Sequence, residues 1–304
     1  MNYEEFKEEI LEALRDFYNE NAKIDVVSIV KNNDIKLDGL CVNETNAGTD
    51  MVPIVYLQDV YKTYEEGKTV EECVEDIRNF VTKNNYPDFI NQAMELLGGW
   101  EDIKDKVYPF LLATERNKEL LQNLVSREML DLSIVYMIRD TFEGQGNCVI
   151  KINHNMLERY GIGAEELHIQ AMENLKKDAY VFQDMFEYIK SLAQLDHNLL
   201  EMCLPEENFP RGFMYILSNG IRYYGAAGII DKELLKRVVP NQNHYVIPAS
   251  IHETLFVLDN GDTGKDKIDE MIREINNTIV SREEWLQDHC YYYDAESSEI
   301  RMCD

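Results

Sequence analysis

Twice in this chain, two strand-length apolar runs stand on either side of a short polar turn. "IDVVSIV", "KNND" and "IKLDGLCV" fill residues 24–42; "DLSIVYMIRD", "TFEGQG" and "NCVIKIN" fill residues 131–153. Runs of this length, rich in β-branched residues and bounded by turn formers, read as strands. A turn of a few residues joins only antiparallel partners, because a parallel pair needs a crossover of about a dozen residues or more. These hairpins imply antiparallel sheets with helices on one face.

Further strands are expected at "MVPIVYL", "FMYILSN", around 244–258 and at "CYYYD". Pro53 places the first of these at a sheet edge or a bulge, since proline cannot donate to a ladder. A short apolar stretch, "VYPFLLA", interrupts helical sequence between 87 and 125. Helices fill the spaces between strands. Tyr3–Tyr18 carries Phe6, Ile10, Leu14, Phe17 and Tyr18 on one face. Thr69 and Glu72 form a capping box ahead of a stripe of Val70, Cys73, Val74, Ile77, Phe80 and Val81. "SREEWL" repeats the capping-box pattern, Asp231 caps "KELLKRVV", and residues 183–203 read as helical. "PDFINQAMELLGG" reads as a helix and "EENFPRG" as a linker.

The expected class is α+β: antiparallel strands and hairpins with flanking helices. Paired strands precede a capped amphipathic helix three times, ending in "TVEECVEDIRNF", "GAEELHIQAMENL" and "GKDKIDEMIREIN". This suggests three related units over residues 1–125, 126–204 and 205–304, gathered in one assembly. Any α+β chain rhymes at this level, so a non-repeating fold fits equally well.

Acids number 57 against 30 bases, a formal charge of -27. Such a surface repels nucleic-acid phosphates and anionic membranes, so neither is an expected partner. The acids are scattered and form no dense block. No apolar run approaches the roughly 20 residues that cross a bilayer. The start, "MNYEEFKEEILEALRDFYNEN", has no basic segment leading into an apolar one, so a cytoplasmic location is expected. The six cysteines include no CxxC pair and read as free thiols in that compartment.

Little else resembles chemistry. In "HYVIPASIHETLFVLDNG", residues 244–261, His252-Glu253 begins like a zinc-protease motif, but Phe256 stands where the second histidine belongs. The stretch alternates as a strand, which would point His252 and Glu253 apart. Ser250 and His252 would share a face, yet no GxSxG turn accompanies them. Cysteines and histidines do not cluster with metal spacing, and no metal or other cofactor is expected. "GQGNCV" leads into a strand and reads as a turn, not a dinucleotide loop. The glycine-rich bend "YYGAAGII" precedes a helix, but the cap Asp231 would compete with a bound phosphate. Tyr291–Tyr293 and Tyr223–Tyr224 read as packing or as a binding surface.

With "PIVYL", "DLSIVY", "AMENL", "LSNGIRYYGA" and "VIPASIHE", the chain resembles a family of unknown function numbered 5688, from about residue 3 to 294. Its most specific elements are Pro53–Leu57, Asp131-Leu132, Asn174 after Ala171, Asn219 with Gly225-Ala226, and Pro248–Glu253. The last element is also similar to the "LPSSIHE" ending of a second uncharacterised bacterial family, from which Ala249 and Ser218 depart. The resemblance implies one compact architecture and a bacterial cytosolic setting, in low-GC gut anaerobes, and brings no activity. It raises Asn219, Gly225, Ser250, His252 and Glu253 as a possible shared surface. The leading expectation is a non-catalytic acidic protein that binds another protein, a basic one. Two alternatives stand beside it: a hydrolase working around Ser250 and His252, and an acidic mimic of nucleic acid that inhibits its target.

Overall fold

Both hairpins are present in the computed structural model, which describes residues 1–44, 53–84, 97–142, 146–193, 211–248, 250–261, 264–278 and 280–303. The chain divides into two compact units, Met1–Gly98 and Gly99–Asp304.

In the first unit, β1 (Ala22–Val30) pairs antiparallel with β2 (Lys36–Glu44). Asn33 and Asp34 take positive φ, 61° and 50°, in the turn between them. Asn and Asp tolerate this conformation better than other non-glycine residues, which is why "KNND" can reverse the chain. Among the described residues strand β3 (Ile54–Tyr56) pairs with β2 alone and so forms the edge that Pro53 foretells.

Helix α1 (Tyr3–Tyr18) starts at a capping box of Asn2 and Glu5. α2 (Leu57–Glu65) follows β3 directly, and α3 (Val70–Asn84) starts at the Thr69–Glu72 box. Phe6, Ile10, Leu14, Leu40, Val42, Leu57, Cys73, Ile77 and Val81 form the buried core. Phe17 and Phe80 depart from the expected stripes, standing 49% and 43% exposed. Both lie at the edge of their helix's apolar arc, and the Arg78 guanidinium covers the Phe17 ring at 3.4 Å.

The second unit holds two antiparallel sheets. β6 (Leu132–Phe142) pairs with β4 (Val107–Ala113), β5 (Ser126–Met129) and β7 (Gly146–Lys151). The six-stranded sheet runs β13-β12-β10-β11-β9-β8. Its strands are β8 (Tyr180–Asp184), β9 (Met214–Asn219), β10 (His244–Ile247), β11 (Thr254–Leu258), β12 (Tyr291–Asp294) and β13 (Glu299–Met302). Among the described residues, the longer helices beside the sheets are α4 (His154–Tyr160), α5 (Ala164–Lys177), α6 (Met185–Ala193), α7 (Lys232–Val238) and α8 (Lys265–Thr278). α5 packs on β4, where buried Asn174 donates to the carbonyls of Lys104 and Val107 at 2.7 and 2.9 Å. α8 buries Ile268 and Ile272 against Met214, Ile247, Val257 and Cys290.

The sheets do not follow the three expected ranges. β4 pairs with β6 across residue 125, and β8 pairs with β9 across residue 204. Five local readings change. "VYPFLLA" is strand β4, and Tyr180–Asp184 is strand β8 before helix α6 begins. Residues 282–284 form turns, not a helix, and β13 is a strand beyond "CYYYD". His252 lies in a bend ahead of β11, not on a strand. β10 ends at Ile247 because Pro248 has no N–H to donate, and the Ile251 N–H is taken by the Glu284 carbonyl at 2.9 Å. The expected helix over 87–96, most of the linker (206–210), Ala249 and Cys203 lie outside the described residues.

Candidate functional site

β9 ends at Asn219, whose buried side chain folds the next turn onto itself. Its Oδ1 accepts the Tyr223 N–H at 3.1 Å and its Nδ2 donates to the Tyr223 carbonyl at 2.9 Å. Arg222 and Tyr224 take positive φ, 54° and 56°, within this turn. Gly225 follows where backbones meet. A Cβ there would lie 2.7 Å from the Asn219 nitrogen, 2.6 Å from the His252 carbonyl oxygen and closer still to Ser218 Oγ. Only glycine fits such an approach. The Ser218 hydroxyl donates to the His252 carbonyl at 2.9 Å, and the Ala226 N–H to the Ile251 carbonyl at 3.2 Å. Ser250, 3% exposed, is bridged to Trp285. Thus the turn after β9, the bend before β11 and the 284–285 segment are tied together, and Asn219, Gly225, Ser250, His252 and Glu253 gather in one place.

The His252 ring stacks on Tyr223, centroids 5.1 Å apart, and its Nδ1 accepts the Tyr224 N–H at 3.1 Å. Accepting at Nδ1 puts the proton of the neutral ring on Nε2, which lies 3.4 Å from Glu284 Oε1. Burial pushes the His252 pKa down against the opposing pull of Glu284. Burial pushes the Glu253 carboxyl up, the Glu284 charge adds to this, and a Ser250 hydrogen bond opposes it. Ser250 Oγ accepts the backbone N–H of His252 at 3.0 Å. A serine nucleophile needs its hydroxyl on the ring nitrogen of its base. Here the hydroxyl oxygen and Nδ1 each hold a different backbone N–H, so the cluster braces two loops and makes no Ser–His dyad. The recess beside it, between β8, β9 and Tyr188, holds about 110 Å³. That is below the roughly 300 Å³ of a small-molecule site.

A second polar cluster escaped sequence reading. Asp131, in the β5–β6 turn, accepts from the Tyr291 hydroxyl at 2.5 Å and from Gln287 Nε2 at 2.8 Å. His289 Nε2 lies 3.1 Å from the same carboxylate, an ion-pair distance without hydrogen-bond alignment. Burial, then the Asp131 hydrogen bond, pushes the Tyr291 pKa up. The nearby Thr114 and Ser133 hydroxyls bond each other at 2.9 Å. Asp131 belonged to one of the resemblance elements, but its partners lie more than 150 residues away in the chain. No spacing rule brings them together.

In the first unit, a groove of about 460 Å³ opens between β3, α2 and α3. Ile54, Val55, Val60, Ile77 and Phe80 are among its apolar lining, and Asp59 and Asp76 among its acids. Among the described residues no group of three His, Cys, Asp or Glu side chains could hold a metal ion. No described helix is long and apolar enough to cross a membrane.

Neither a search of curated proteins nor a search of solved structures returned a match. The model of one family covers residues 3–295. It spans both units, including every strand but β13 and the whole Asn219–His252 cluster, so the chain belongs to the family of unknown function DUF5688.

Proposed function

We propose that this chain is a non-catalytic, acidic protein of the bacterial cytosol that holds a basic protein partner. The observation that carries this reading is the first unit's groove and the charge around it. Residues 1–98 contain 21 acids and 9 bases. On α1, Glu4, Glu5, Glu8, Glu9, Glu12 and Asp16 are all exposed; on α3, so are Glu71, Glu72, Glu75 and Asp76. At the groove, Asp59 pairs with Lys62 at 3.3 Å and Asp76 with Lys68 at 2.5 Å. Such exposed pairs are worth little and exchange readily with incoming cations. An amphipathic helix with one apolar and one Lys/Arg face matches both features, laying its apolar stripe in the groove.

The test is calorimetric titration of the full chain with a Leu/Lys amphipathic peptide and its Leu/Glu counterpart. Selective binding of the basic peptide, weakened by salt and lost in Val60→Asp, supports the reading. Equal affinity for both peptides, or for neither, overturns it. The nucleic-acid-mimic alternative shares the acidic faces of α1 and α3. It predicts that the chain displaces duplex DNA from its basic target.

The hydrolase alternative draws on Glu253, His252 and Glu284 lying together. It requires Glu253→Gln to abolish hydrolysis of an activated ester, and an unchanged rate would end it.

A further inference from the structure

The β12–β13 hairpin sets Tyr291 opposite Met302 and Asp294 opposite Glu299. Carrying this register one step past Tyr291 sets Cys290 opposite Cys303. Directly opposed residues of an antiparallel pair have Cα atoms about 4.5–5.5 Å apart. That range falls inside the roughly 4.4–6.8 Å that a disulfide spans. Cys303 also packs against the buried cluster that contains Cys290. Both are free thiols, Cys290 fully buried and Cys303 partly exposed. The Cys290 N–H donates to Asp269 Oδ1 at 2.8 Å, which fixes the backbone beneath its sulfur.

We propose that Cys290 and Cys303 are a redox-responsive thiol pair, oxidised by low-molecular-weight disulfides to a cross-strand bond that fastens β13 to the sheet. The two thiols have unequal roles. Burial, with Cys303 and Asp269 beside it, pushes the Cys290 thiol up, which keeps it protonated at neutral pH. Cys303, open to solvent, starts the exchange. Its thiolate attacks one sulfur of RS–SR; RS⁻ leaves and takes up a proton, and a mixed disulfide remains on Cys303. The Cys290 sulfur then attacks the Cys303 sulfur, loses its proton, and the second RSH departs. Two protein thiols are oxidised and one small disulfide is reduced to two thiols. β13 is the edge strand of its sheet, so the bond decides how firmly that edge is held.

The test exposes the native full chain to oxidised glutathione, quenches it in acid, blocks remaining thiols and maps tryptic peptides without reduction. The expected product joins the 283–301 peptide to the Met302–Asp304 peptide, with loss of about two hydrogen masses. Its loop of about 14 residues should raise the thermal midpoint by about 5 °C. Cys303→Ser should remove both the product and the shift, and Cys290→Ala should stop at a glutathionylated Cys303. Cys41 and Cys148, also partly exposed, are internal controls. The proposal is overturned if wild-type Cys303 stays glutathionylated with Cys290 free, or if Cys41 and Cys148 react while this pair does not. The wild-type map decides the matter even if the Cys290 variant fails to fold.

Discussion

The Met1–Gly98 unit and the polar cluster of the larger unit are held together by opposite means. In the first, fully buried Phe6, Ile10, Leu14 and Leu57 form an apolar core, and charge is kept outside. In the second, buried Asn219, Ser218 and Ser250 bind backbone groups of loops that carry little regular structure. An apolar core tolerates change in proportion to volume lost, since its contacts have no direction. A hydrogen-bonded cluster depends on geometry, because each buried group left unpaired keeps its full desolvation cost. Polar residues gathered in this way resemble a catalytic site in sequence while serving as a brace.

Four measurements test this contrast, in order of decreasing effect. Phe6→Ala removes a fully buried ring and should cost about 4 kcal/mol in denaturant unfolding of the full chain. Gly225→Ala adds a single carbon yet should cost about 3 kcal/mol, because the obstacles include backbone atoms that cannot turn aside. If Gly225→Ala were neutral, the close approach of the two loops would be wrong. Thr69→Ala removes only the cap of α3 and should cost about 1 kcal/mol. Smallest of all, Asp59→Asn with Asp76→Asn at the groove removes two exposed ion pairs and should shift the unfolding midpoint little while weakening the basic peptide.

The cluster should also report through pH. The folded His252 pKa lies below its ordinary value of about 6.5, so the unfolded chain takes up protons first as pH falls. Its contribution is in place above about pH 6.5 and is lost as pH drops toward the folded value. Glu253 runs the other way. Its folded pKa is raised, so its contribution is in place below about pH 4.5 and is lost as pH rises through the folded value. His252→Gln should therefore flatten the stability profile just below about pH 6.5, and Glu253→Gln should raise stability at neutral pH. An acid-side slope unchanged by His252→Gln would mean that other buried groups, such as His244 and His168, set it.

Local patterns survived folding where their causes are local. The Thr69–Glu72 box, the Asp231 cap, the "KNND" turn and the edge position of Pro53 each depend on residues within a few positions of one another. At His252 the pattern failed because a distant partner intervened. His252 sits in a stretch that alternates as a strand would. That alternation cannot show that Ile251 gives its N–H to the carbonyl of Glu284, a residue far along the chain.

Short windows and sums along the sequence carry the α+β class, the antiparallel hairpins, the Thr69 and Asp231 helix caps and the excess of acids. The fold pairs β4 with β6 across the expected boundary at 125 and brings Asp131 to Tyr291. It also decided that Ser250 and His252 bind backbone rather than each other. Each of these turns on which buried donor finds which acceptor, and that choice is made between segments far apart in the chain, where residue spacing carries no information.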